Sequence, residues 1–233
     1  MNTILLSLFR PARAFGELKQ ESKFPSMALI VLLLLVAVNL ILMIPVIAKV
    51  TALTLSKASM PEAQLDRALE VVHKLRYLQV VGGVFSSAVT LFLYALLLYI
   101  ITLIVKPALT YVQSFILIVY GYFAVAIGDL VNTGLLYIRG LEAITNPFEI
   151  ALTGLNLLTN MEQAGAAGYT FLSMVSPFQL WFVLLLSIGL KMFTDIKYAK
   201  ALLICILFWL VTVIYPVVMV LFSEAVMQRA GIM

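Results

Sequence analysis

One acidic side chain stands deep inside apolar sequence: Asp129, within VYGYFAVAIGDLVNTGLLYI in the run from Ala108 to Ile138. Asn132 follows three positions later, so in a helix the two share a face. A carboxylate at the centre of a bilayer costs about 2.5 to 3.5 kcal/mol on insertion scales, and such residues face a bundle interior or a watery cavity. Asp129 and Asn132, with Asn39 from an earlier apolar run, therefore form a candidate intramembrane polar site for a proton or a small cation. The competing role is structural. Arg139 lies about 15 Å further along a helix, and if that helix stops near Asn132 the carboxylate becomes the inner partner of Arg139.

The remaining chemistry-bearing side chains do not assemble into an enzyme. Aspartyl proteolysis needs two carboxylates that share a proton, and Asp129 is the only acid inside an expected span. Serine chemistry needs a histidine within hydrogen-bond reach; the one histidine, His73, lies in a polar connection beside Lys74, with Ser86 and Ser87 not far along the chain. His73 has no second histidine, cysteine or carboxylate pair at ligand spacing, so it reads as a surface residue and no metal is expected. No glycine-rich phosphate loop appears, and no cofactor is expected. The single cysteine, Cys205, sits in an apolar run, where it packs as a small hydrophobe.

The elements that position these residues must be membrane helices. Of 233 residues, 64% are hydrophobic and 11% charged, with a mean hydropathy of +1.11, far from the balance of a soluble domain. The net charge of +4 comes from bases scattered among connections rather than clustered on a soluble face, so nucleic acid is not an expected partner. The pattern predicts an all-α polytopic membrane protein, a single domain over 1–233 with spans at about 26–48, 80–105, 112–138, 177–193 and 199–222. The first apolar stretch, Ile4 to Phe9, is too short for a signal-peptide core, so no cleavable signal is expected. From Pro11, apolar residues recur every three or four positions among Arg10, Arg13, Lys19 and Lys23, which reads as a short helix in the membrane interface or docked on the bundle. Each base near an anionic leaflet contributes about 1 kcal/mol, making Arg10, Arg13 and Lys19 candidate lipid contacts.

Two amphipathic connections are expected. In the first, Ser59 and Glu62 have capping-box spacing and Leu65, Leu69, Val72 and Leu75 trace a stripe. In the second, Phe148 to Leu158 is apolar but too short to span, so it reads as a half-embedded or surface helix, while Gln163 to Gly168 reads as a hinge. The five residues TDIKY between the last two spans make those spans a hairpin. Trp181 fits an interfacial position and Trp209 an internal one. Pro45 and Pro216 are expected to bend their helices. Five spans put the termini on opposite sides, with eight of the fifteen Lys and Arg on the N-terminal side. Total charge does not orient such a chain, but the short last turn holds three bases and the long third connection one, so the N-terminus is expected inside and the C-terminus outside.

Two motifs and the span layout resemble the Ypt-interacting protein, or Yip-domain, family of small five-span membrane proteins. The first is a proline followed by Ala-Phe and an acidic-basic turn before the first span, here Pro11, Ala14, Phe15, Glu17 and Lys19. The second, in the fourth span, is an aromatic, then Leu-Trp, spaced leucines and Gly-Leu, here Phe178, Leu180, Trp181, Leu185, Gly189 and Leu190. Relatives often carry a proline partway along the third span, where this chain has Gly128 and Asp129. The resemblance implies a non-enzymatic membrane adaptor: eukaryotic relatives engage small GTPases, and some bacterial ones look like accessory subunits of ABC-type exporters in envelope defence. Its short connections suit a bacterial inner membrane. The implied partners are membrane lipids and another membrane protein, an exporter subunit or a second copy. The alternative is a small-solute or ion transporter built around Asp129.

Overall fold

The computed structural model describes residues 2–21, 24–57, 62–105, 109–145 and 150–229. Among them are eight α-helices and no strand. Five helices are long and apolar enough to cross a membrane, over Ser26–Thr54, Tyr77–Val105, Tyr111–Arg139, Pro177–Thr194 and Tyr198–Ser223. The chain is an all-α multi-pass membrane protein.

The N-terminal segment makes two helices where one was expected, α1 (Asn2–Phe9) and α2 (Pro11–Glu21), with Pro11 at the first position of the second. The first span becomes α3 (Ser26–Lys57), which runs on through Pro45. The second span and the amphipathic connection before it are one helix of 44 residues, α4 (Glu62–Val105), rather than two elements. Nothing between Leu78 and Val80 breaks a helix, and Gly82 and Gly83 cost only about 1 kcal/mol each inside one. In a bilayer that is small beside leaving backbone groups unbonded. Ser59 and the side chains of Leu65, Leu69, Val72 and His73 lie outside the described residues.

The third span, α5 (Tyr111–Arg139), starts at a capping box in which Thr110 Oγ1 accepts from the Gln113 N–H at 3.2 Å and Gln113 Oε1 accepts from the Thr110 N–H at 2.9 Å. It stops at Gly140, whose φ of 86° carries the chain out of the helix. The connection that follows corrects the expectation of a helix over Phe148–Leu158. Residues 146–149 lie outside the described residues, and beyond them the chain makes only a 3₁₀ turn, Leu155–Leu158, before α6 (Met161–Met174). The expected hinge is thus mostly helix. Asn160 caps α6 by accepting from the Gln163 N–H at 2.9 Å, the alanines at 164, 166 and 167 favour helix, and Gly165 alone departs from it, with φ 67°.

The fourth span, α7 (Pro177–Thr194), is capped by Ser176 and closed by Asp195 in the left-handed conformation. Three residues later begins α8 (Tyr198–Arg229), which continues through Pro216 and packs along α7 as the expected hairpin.

At the centre lies α5. Fifteen of its residues are buried, and it packs against α3, α4 and α7. Two of its glycines make the close approach to α7 possible. A methyl group at Gly128 would sit 2.6 Å from Phe178 Cβ, and one at Gly121 3.1 Å from the Phe182 ring and Leu186. The α2 helix docks on α7, with Phe15 fully buried.

Candidate functional site

Asn39 and Asp129 come from α3 and α5, which cross in their second halves. There they line a small cavity of about 120 Å³ with Ser87 of α4 and Tyr122 of α5. Asp129 is an exposed residue that lines this space. Among the described residues its carboxylate has no hydrogen bond and no ion pair; the ion pairs are Arg13–Glu17, Lys19–Asp195, Lys49–Glu142 and Lys74–Glu70. The guanidinium of Arg139 instead reaches forward, donating to the Ala143 carbonyl at 3.4 Å. That geometry follows from the helix: α5 stays regular to Arg139, which keeps the two charges about ten residues and 15 Å apart.

The three candidate polar residues are not gathered into one pocket. Asn39 Oδ1 accepts from Thr133 Oγ1 at 2.7 Å, tying α3 to α5. Asn132 turns away from Asp129 to the third connection, where its Nδ2 donates to the Ile150 carbonyl at 2.8 Å and its Oδ1 accepts from the Leu152 N–H at 2.6 Å. A side-chain amide that both donates to and accepts from a passing backbone satisfies two groups that would otherwise be orphaned. Tyr137 adds a third tie, donating to the Leu42 carbonyl at 2.6 Å, and Lys49 pairs with Glu142 at 3.1 Å at the end of the same crossing. Ser87 and Tyr122 were missed in the sequence. Ser87 was weighed in the sequence as a serine not far from His73 along the chain, and Tyr122 was not singled out at all.

The two family motifs come together in space. Phe15 packs against Gly189, which also receives Leu117 of α5, so any side chain at 189 would collide with both. Phe15 also meets Phe193 edge-on at 6.5 Å, and Phe9 lies 6.4 Å from Trp181. Phe178 fills the notch at Gly128. Trp181 therefore packs against the N-terminal helices. Pro11 opens the docked helix, Arg10 and Arg13 remain exposed along it, and Lys19 pairs with Asp195 at 3.2 Å. Cys205 is fully buried among apolar neighbours, as expected of a small hydrophobe. Among the described residues no three His, Cys, Asp or Glu side chains converge as a metal site.

Four apolar helices around a central third span, with an N-terminal helix clasped to the fourth span, define a multi-pass bundle without an assembled catalytic constellation among the described residues. The chain belongs to the Yip1 domain family, whose model matches residues 5–220. Neither the curated proteins nor the solved structures compared with it yield a match.

Proposed function

We propose that this protein is a non-enzymatic membrane accessory protein that binds another membrane protein, an ABC-type exporter subunit or a second copy of itself, and organises lipid around it. The observation that supports this reading most is how its intramembrane polar groups are used. Asn39, Thr133, Asn132 and Tyr137 are all committed to holding α3, α5 and the third connection together. They build a platform from α3, α5 and the third connection. The family-model match supports the same reading, since the resemblance to that family implies a membrane adaptor. The test is copurification of the full chain in mild detergent. Recovery of a stoichiometric membrane-protein partner is expected, and a lone monomer that conducts ions in liposomes overturns the reading.

One observation favours a second reading, transport of a small cation: Asp129 stands unpaired, among the described residues, in a cavity shared with Asn39, Ser87 and Tyr122. On that reading Asp129→Asn abolishes ion flux into liposomes while leaving the bundle folded, and unchanged flux contradicts it.

The orientation proposed is N-terminus cytoplasmic and C-terminus outside, in a bacterial inner membrane. Lys19 bonds Asp195 of the α7–α8 turn, and Lys200 donates to the Val105 carbonyl at 3.3 Å at the end of α4. These contacts collect Arg10, Arg13, Lys19, Lys191, Lys197 and Lys200 at one end of the bundle, which suits the cytoplasmic face. A cysteine at position 195 labelled from outside the cell contradicts this orientation.

A further inference from the structure

A larger cavity, about 280 Å³, lies between α4, α5, α7 and α8. Its walls include Tyr94, Tyr122, Gln179, Thr212, Tyr215 and Pro216, with no charged residue among them. Tyr94 and Thr212 fall within spanning segments, so the cleft reaches membrane depth, while Gln179 in the first turn of α7 lines it at the end where that helix begins. Tyr215 is 69% exposed and stands at a lateral opening toward lipid.

Hydrogen-bonding groups converge here without partners. Among the described residues the hydroxyls of Tyr94 and Tyr122 and the side-chain amide of Gln179 bond no other protein group. Thr212 spends its hydroxyl on the Trp209 carbonyl. Its own carbonyl loses the usual donor one turn on, because residue 216 is proline and has no N–H. In hydrocarbon, unbonded polar groups cost several kcal/mol each. The Tyr94 and Tyr122 hydroxyls and the Gln179 amide can each donate, so the cleft suits a neutral occupant that carries acceptors, while the Thr212 carbonyl can take a donor such as a hydroxyl or a water. Its volume is just below the range of about 300 to 1,000 Å³ that encloses a whole small molecule, so it holds one part of an amphipath whose chains stay in the bilayer.

We propose that this cleft binds the glycerol-ester region of a membrane lipid, which enters beside Tyr215 and accepts hydrogen bonds from Tyr94, Tyr122 and Gln179. Glycerol esters sit at the depth the cleft spans, carry carbonyl acceptors and bear no charge themselves. The inference rests on the lipid-organising part of the proposed function and not on the protein partner, so copurification can fail without affecting it.

The test places the full chain in phosphatidylcholine vesicles carrying either a photoactivatable diacylglycerol or a photoactivatable phosphatidylcholine, and maps the adducts by mass spectrometry. Adducts concentrated at Tyr94, Tyr122 and the Thr212–Pro216 segment are expected. Tyr122→Phe, which keeps the ring and its packing, and Gln179→Leu at the rim should each lower that labelling about fivefold, the loss of one hydrogen bond of about 1 kcal/mol. Stronger labelling by the headgroup-free probe identifies a neutral glyceride as the source, and stronger labelling by the other a phospholipid; both support ester recognition. Adducts spread evenly over the lipid-facing surfaces of α3 and α8, unchanged in both variants, overturn it.

Discussion

The two halves of α5 are held by different forces. From Ser114 to Ala126 nearly every residue is buried, and the fit is one of shape: Phe115 stacks between Phe24 at 5.1 Å and Phe92 at 4.6 Å, and Gly121 admits Phe182 and Leu186. Beyond Ile127 only Gly128, Thr133 and Leu136 are buried. There the helix is fastened by Asn132, Thr133 and Tyr137, and a cavity opens at Asp129. Without a hydrophobic drive between helices in lipid, association rests on close packing and on interhelical hydrogen bonds. This helix uses the first means along one half and the second along the other, and the smaller cavity, the one at Asp129, lies where packing gives way.

That contrast is broken most severely at the notch between the halves. Gly128→Val should cost about 1 to 3 kcal/mol or more, because the added carbons meet Phe178 Cβ, which sits on the α7 backbone and cannot swing aside; thermal unfolding in detergent reads this as a large drop. Next comes Asn132→Leu, which removes two bonds to the third connection and leaves the Leu152 N–H and Ile150 carbonyl unsatisfied, at about 1 to 3 kcal/mol. Its signature is local, faster proteolysis between Ile150 and Asn160 ahead of global unfolding. Thr133→Val removes one interhelical bond to Asn39 and should cost about 0.6 kcal/mol, near the average measured for such bonds. Smallest is Lys19→Gln, which breaks a solvent-exposed pair with Asp195 worth less than about 1 kcal/mol; its effect should vanish at high salt. As the control, Gly134→Ala adds a methyl group into open space and should be neutral or stabilising by up to about 1 kcal/mol.

The five spans were legible in the sequence because bilayer thickness imposes a length and a composition on each. The fusion of the amphipathic connection with the second span was not, since Gly82 and Gly83 look like punctuation although a helix in lipid runs through them. The helix over Met161–Met174 had a readable signal in Asn160, a good N-cap three residues before Gln163, but the small residues between Gln163 and Gly168 resembled a hinge more closely. Asp129 and Asn39 were found because charge and amide groups stand out against apolar sequence. Ser87 and Tyr122 do not stand out there, and only the α3–α4–α5 packing places them beside the carboxylate. Asn132 was recognised for its polarity, while its partners, the backbone of Ile150 and Leu152, depend on a loop path that no helical spacing encodes.

The claim at the centre of this account is that the bundle works as a platform for a partner and that Asp129, unpaired among the described residues, is secondary. Quantitative copurification of the wild-type chain beside Asp129→Asn tests it most directly. The account predicts the same stoichiometric membrane-protein partner with both chains. Monomers without a partner, together with an ion flux that Asp129→Asn abolishes, contradict it.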